Sequence, residues 1–231
     1  MRERVDRSSL VWDAGARVRP PSPGAATEGR DTMLFSFEGK TPRIAATAWI
    51  GPGSFVIGDV VIGERSTVWP GAVIRADFAP IRIGDDVHIE DNVVLHSGGG
   101  LTLGNNITIG HSAVVHGKTI GNWVLLGNNC TVLDDAVVED LCIIGANALV
   151  SPRETVPTGS LMLGVPGVAT PARPDQLERR RAAQQSGATR TDGYYANAMR
   201  YRAAGIEERQ LWTPIPGAVG ELPPGWAPRA G

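Results

Sequence analysis

Three of the four histidines in this 231-residue chain fall within NVVLHSGGGLTLGNNITIGHSAVVHGK, residues 92–118: His96, His111 and His116. Imidazole is the commonest metal-ligating side chain and titrates near neutral pH, so a metal centre is the first chemistry to test. Three imidazoles serve a catalytic zinc ion when their nitrogens lie about 2.0–2.1 Å from it and a fourth position is left for water. The spacing does not suit ligands at i and i+4 on one helix. Whether the rings meet therefore depends on the elements that carry them.

Those elements follow from an internal repeat. The template [LIV]-G-x-x-[small or aliphatic]-x recurs in IGERST (62–67), IGDDVH (83–88), LGNNIT (103–108), IGNWVL (120–125) and LGNNCT (126–131). Taken in threes, the leading aliphatics form six rows: Ile44, Ile50, Val56; Ile62, Val68, Ile74; Ile83, Ile89, Leu95; Leu103, Ile109, Val115; Ile120, Leu126, Val132; and Val138, Ile144, Val150. Three faces per row describe a triangular prism. Each face is a short strand, each corner a turn that Gly, Asn and Asp tolerate, and successive rows stack as parallel strands about 4.8 Å apart. A sandwich or barrel would repeat its strands every 8–12 residues or so, without a six-residue unit. The fourth residue after each leader is small or apolar, as at Ser66, Ala72, Val93, Ala113, Cys130, Ala136, Cys142 and Ala148, which puts both cysteines, reduced, in the core.

The register aligns two of the histidines. His96 follows Leu95 and His116 follows Val115, so both emerge at the end of the third face and stack one rung apart, with Arg75, after Ile74, at the top of the column. His111 lies two places after Ile109 on the second face, where Asp91 holds the equivalent place one row earlier. The steps Ile74 to Ile83, Leu95 to Leu103 and Val115 to Ile120 depart from six residues, and all three fall at the corner beside this column. Irregular loops on a rigid frame are the usual carriers of functional side chains. With His111 on a different face, a three-histidine site is most easily completed across a subunit boundary, in a cyclic trimer of prisms packed by their faces. The competing reading is an exposed polar ladder. His88 ends its hexad and is expected to face solvent without a role.

Composition narrows the alternatives. A net charge of −2 and a sequence pI near 6.1 give no basic field for nucleic acid, and no stretch approaches the length of a membrane span. The N-terminal residues lack an apolar signal core and carry Glu3 and Asp6, unlike a transit peptide, so a cytoplasmic location is expected. Residues 1–32 read as a loosely ordered extension, 33–174 as the repeat domain, 175–209 as a helical segment with Asp192 as an N-cap of its second part, and 210–231 as a flexible tail. After Val150 the repeat is expected to stop, and 151–174, rich in Pro and Gly, to form an exit segment.

From Trp69 to Pro174 the sequence resembles the γ-class carbonic anhydrase family, through PGAVIRADFAPIRIGDDVHIEDNVVLH, IGHSAVVHG and GVPGVATPAR. The resemblance includes the three histidine positions, not only the hexads that many acyltransferases share. It implies an all-β fold, a left-handed parallel β-helix with a C-terminal α-helix. It also implies a homotrimer with the metal between subunits, His96 and His116 from one chain and His111 from its neighbour. The ion implied is zinc, or iron(II) or cobalt in some members, and the reaction is reversible hydration of carbon dioxide to bicarbonate by hydroxide generated on the metal.

By the same resemblance, Arg75, Asp77 and Asp91 match an interfacial charge network, and Tyr195 and Asn197 in YYANA match a Tyr-x-Asn pair near the site. Glu90 stands where the family usually has Gln, beside the reacting water, and is the candidate to orient that water or take its proton. Asp91, paired with Arg75, is given a structural role. Two departures set this chain in a short-loop branch: the corner after His96 is only SGGGLT where an acidic loop is expected, and Phe78 and Ala79 occupy the region of a second expected Glu. The rival readings are an acyltransferase or acyl-CoA thioesterase on the same scaffold, and a non-enzymatic trimeric scaffold stabilised by metal.

Overall fold

The computed structural model describes residues 34–186 and 192–206, so the expected N-terminal extension and C-terminal tail lie outside the described residues. The remainder is a parallel β-helix followed by two helices. The strand register reproduces the rows read from the sequence. Ile44, Ile62, Ile83, Leu103, Ile120 and Val138 stack on face one, Ile50, Val68, Ile89, Ile109, Leu126 and Ile144 on face two, and Val56, Ile74, Leu95, Val115, Val132 and Val150 on face three. All these leaders are buried, as are the small residues at the fourth place, Cys130 and Cys142 among them. Burial pushes the Cys130 thiol up to about 12, so it stays protonated.

The corner chemistry explains the Gly and Asn of the repeat. At the regular corners the third residue after the leader takes the left-handed conformation, as at Asp86 (φ 54°), Asn92 (60°), Ser112 (60°) and Asn129 (57°). Along the corner between faces one and two the first place after the leader is glycine in four consecutive rows, at Gly63, Gly84, Gly104 and Gly121, because the row below fills the space a side chain would need. A Cβ on Gly84 would lie 2.3 Å from Asn105 Oδ1 and 2.4 Å from the Gly104 carbonyl oxygen. That Asn105 oxygen accepts the Asp85 backbone N–H at 2.8 Å, and the same bond runs from Asn105 to Asn122 (2.9 Å) and from Asn122 to Asp140 (2.6 Å). At the corner between faces three and one this first place carries Arg75, His96 and His116, so the frame that forces glycine at one corner lets long polar side chains emerge at the other.

The coil runs further than expected. The repeat does not stop at Val150: Val156 continues face one and Met162 face two, with Gly159 in the left-handed position between them. Methionine in place of a branched aliphatic, in a stretch rich in Pro and Gly, hides this seventh row from the template. The chain then folds back, Val168–Pro171 pairing antiparallel with Ser160–Leu163.

The two helical segments form as α1 (Pro174–Ser186) and α2 (Asp192–Ala203). Buried Arg180 of α1 donates to the carbonyls of Trp123, Leu141 and Cys142 at 2.9, 3.1 and 2.9 Å, which satisfies corner oxygens in two adjacent rows. α2 lies over the second face, with Ala198 buried, Tyr201 edge-on to Trp49 and Trp69, and Arg202 donating to the Ala48 carbonyl at 2.7 Å.

This cover overturns the expectation for His88, which does not face solvent. It is fully buried, its ring stacks on Tyr194 at 5.4 Å, and its Nδ1 lies 2.7 Å from the Thr67 hydroxyl, which also accepts the Trp69 indole N–H. Burial, with the nearby Arg65 guanidinium, lowers the His88 pKa from 6.5 to about 4. The unfolded chain takes up this proton below 6.5 while the folded chain refuses it until about 4, so stability is full above 6.5 and falls with pH across that window. The loss amounts to about 3 kcal/mol. Urea unfolding of His88→Gln should show a correspondingly flatter pH dependence; an unchanged slope would refute this assignment.

Candidate metal centre

The strand pairing puts Arg75, His96 and the backbone leading to His116 in one column, as the register requires. The imidazoles of His96 and His116 meet: Nδ1 of the first lies 3.0 Å from Nε2 of the second, with ring centroids 5.0 Å apart. Both are shielded, their side chains 13% and 28% exposed.

The outer nitrogens decide the chemistry of the inner ones. His96 Nε2 lies 2.8 Å from Asp77 Oδ1 and His116 Nδ1 lies 3.0 Å from Asp134 Oδ1. A carboxylate accepts and does not donate, so Nε2 of His96 carries the hydrogen of its bond to Asp77 and Nδ1 presents a lone pair, while the Asp134 carboxylate, an ion-pair contact off the line of the ring N–H, favours the hydrogen of a neutral His116 on Nδ1 and the lone pair on Nε2. Two lone pairs facing each other at 3.0 Å repel unless a proton, as in a hydrogen bond between the rings, or a metal ion lies between them. Tetrahedral bonds of about 2.0–2.1 Å would separate two such nitrogens by about 3.3 Å, close to the distance found. Carboxylates on the far nitrogens are also the usual support of zinc-bound imidazoles. The pair therefore fits a metal ion.

His111 stands at a different corner. Its Nε2 and Nδ1 lie 2.8 Å from Glu90 Oε2 and 2.9 Å from Asp91 Oδ2, with Glu90 almost wholly buried. Among the described residues, no group of three His, Cys, Asp or Glu side chains within one chain is placed to hold an ion. Within one chain Arg75 pairs with Asp77, and Asp91, at the other corner of face three, lies against His111. Asp77 thus joins Arg75 to His96. Partial burial alone would raise its carboxyl, but the bonds from His96, its own backbone and Arg75 outweigh that and hold it below the usual carboxylate range.

Tyr195 and Asn197 lie on α2. The Tyr195 ring sits under the Arg65 guanidinium at 4.5 Å and Asn197 Oδ1 accepts from Arg200 at 3.4 Å; within one chain neither is joined to the three histidines by any of these contacts. Two residues gain a place that sequence reasoning did not give them. Phe78, 75% exposed, stands edge-on to His96 at 5.9 Å, and Asp134 holds His116. The signal for Asp134 was its position, one rung below His116 and one residue further along the same corner.

The comparisons with known proteins bear on the family and the fold. Residues 41–76 match the family model for bacterial transferase hexapeptide (six repeats). The chain is 45% identical over 126 residues to "Probable carbonic anhydrase" of Methanocaldococcus jannaschii, spanning 54% of this chain and 79% of that one. It belongs to the γ-class carbonic anhydrase family. This γ-class chain is also 36% identical over 145 residues to mitochondrial "Gamma carbonic anhydrase 2" of Arabidopsis thaliana, spanning 59% of this chain and 52% of that one, about half the plant protein's length. In structure it matches a hexapeptide transferase family protein from Anaplasma phagocytophilum with a TM-score of 0.66 at 29% identity, covering 74% of this chain and 98% of that one.

Because Arg75 lowers the Asp77 carboxyl while His96 remains as a second partner, Arg75→Ala should move the Asp77 pKa upward, toward but not to 3.8. A carbon-13 NMR titration of that carboxyl measures it, and an unmoved value would show that the pair has no electrostatic weight.

Proposed function

We propose that this chain is a metal-dependent carbonic anhydrase, a lyase that hydrates carbon dioxide reversibly to bicarbonate, acting as a homotrimer with zinc, or iron(II) or cobalt, between subunits. The observation that carries this reading is the pair of inner nitrogens, His96 Nδ1 and His116 Nε2, facing each other at 3.0 Å with a carboxylate behind each ring. A divalent ion bound there lowers the pKa of water from about 16 to about 7 and so supplies hydroxide at neutral pH for addition to carbon dioxide.

The rest falls to the chain's own residues. His96 and His116 hold the ion as neutral ligands, which leave it its full charge. His111 of a neighbouring copy completes the set. Support for that neighbour comes from the outer side of face three, where Phe55, Val73, Val94, Val114, Thr131 and Leu149 are largely apolar and none is fully buried. This face is bounded on one side by the Arg75, His96 and His116 column and on the other by Asp91 and His111. A neighbour packed against such a face covers apolar surface and brings its His111 corner to the other chain's histidine column in the same contact.

Glu90, buried and against His111, is then the carboxylate nearest the third ligand, suited to orient water or accept its proton. Phe78 supplies an apolar wall beside His96 where an acid would otherwise stand. No acidic side chain follows His96 in the Ser97–Gly100 corner, so turnover is expected to rise with the concentration of an imidazole buffer. Among the described residues no helix is long and apolar enough to cross a membrane, and we infer a cytoplasmic location.

Stopped-flow hydration of carbon dioxide by anaerobically prepared protein of known metal content tests the activity. Stoichiometric metal with turnover is expected; a metal-free protein that acts on coenzyme A esters would favour the acyltransferase or thioesterase reading, and metal without turnover the scaffold. The shared site is tested separately by mixing His96→Ala and His111→Ala chains, each inactive alone. Random assembly rebuilds all three ligands at about a quarter of the junctions, so activity should return to about that share of wild type. No recovery in verified mixed trimers would overturn the intersubunit site.

A further inference from the structure

We propose that Asp134 is a positioning residue that fixes the tautomer of His116 and thereby aims its Nε2 lone pair at the ion. The proposal rests on the reading of His96 and His116 as ligands. It concerns a carboxylate that lies outside every motif carrying the family resemblance.

Asp134 owes its place to the shortest corner of the coil. Val115 to Ile120 is a five-residue step, and Gly117 allows it: a Cβ there would come within 2.9 Å of Val132 Cγ1 and 3.1 Å of the Ala136 carbonyl oxygen, both in the row below. The shortened corner therefore lies directly on that row. Asp134, second after its leader Val132, reaches up one rung to put Oδ1 3.0 Å from His116 Nδ1.

A neutral imidazole in water favours hydrogen on Nε2, which at His116 would place an N–H toward His96 and remove the lone pair a ligand needs. The Asp134 carboxylate oxygen 3.0 Å from Nδ1, off the line of the ring N–H, favours the hydrogen on that nitrogen electrostatically and so selects the other tautomer. His96 presents the mirror case: Asp77 holds its Nε2 hydrogen and leaves Nδ1 free to face inward at 3.0 Å. The two rings thus use opposite nitrogens, and each needs its own carboxylate from a different row. Asp77 comes from the row above His96 and Asp134 from the row below His116, so the donor pair is clamped from both ends of the column. The Asp134 side chain is 65% exposed, so it adds little to the stability of the fold itself. Its effect is expected in the ligand, not in the scaffold.

The test compares wild type, Asp134→Ala and Asp134→Asn, each as the full chain. Long-range proton–nitrogen NMR on metal-free protein, above the ordinary imidazole pKa of about 6.5, reads the tautomer directly. His116 should carry its hydrogen on Nδ1 in wild type and shift to Nε2 in Asp134→Ala, with Asn, which still offers an oxygen, retaining the wild-type form. Chelator competition then measures zinc affinity, expected to fall by about 10–100-fold in Asp134→Ala and to be largely rescued by Asn. Thermal midpoints of the metal-free proteins should agree. An Nε2–H tautomer in wild type, or an unchanged tautomer in Asp134→Ala, overturns the proposal. So does zinc affinity in Asp134→Ala within about twofold of a wild type that binds zinc. A wild type that binds no zinc but shows the tautomer shift refutes the metal reading while supporting the positioning role.

Discussion

Stacking at one strand spacing is the constraint on which the structure depends. Each row must offer an apolar leader inward and a small or apolar fourth residue beside it, and each corner must clear the row below. Glycine at Gly84 and the carboxamide of Asn105 are two sides of that requirement, since one leaves the space and the other fills it with an oxygen that accepts a backbone N–H. A frame built this way has no freedom to shift a side chain along its axis. Residues at the same place in successive rows are held in a column whatever their chemistry.

The candidate centre exploits that rigidity where the period is broken. Steps of nine, eight and five residues follow Arg75, His96 and His116 at one corner, and carboxylates from the flanking rows lie against the outer ring nitrogens. Backbone regularity elsewhere supports this, because the three departures share a corner and the other two corners keep the register intact. The outcome is two imidazoles with opposed tautomers and inner nitrogens in contact. His111 is held one corner away by Glu90 and Asp91.

The helices play a different part. α2 covers the second face, leaves the third bare, and turns that second face into a second small core with Trp49, Trp69 and Ala198. This is why His88, the last residue of its hexad, is sealed as a neutral ring while the other three histidines keep some exposure. Tyr195 and Asn197 share that helix and face Arg65 and Arg200, so their association with a metal site is not a property of the single chain.

The amino-acid sequence by itself determined the rows, the inward leaders, the burial of both cysteines and the column of Arg75, His96 and His116, because a six-residue period is a local property that stacking converts into position. It also separated His111 from that column. The seventh row escaped because Met162 departs from the branched leaders, although its register is unbroken. Only the tertiary structure decided which carboxylate meets which ring. Within one chain Asp91 meets His111, Asp134 rises to His116, and His88 disappears beneath Tyr194. Those contacts join residues from different rows or from a helix about a hundred positions away in the chain, and their choice rests on side-chain reach and cover, which leave no periodic trace in the sequence.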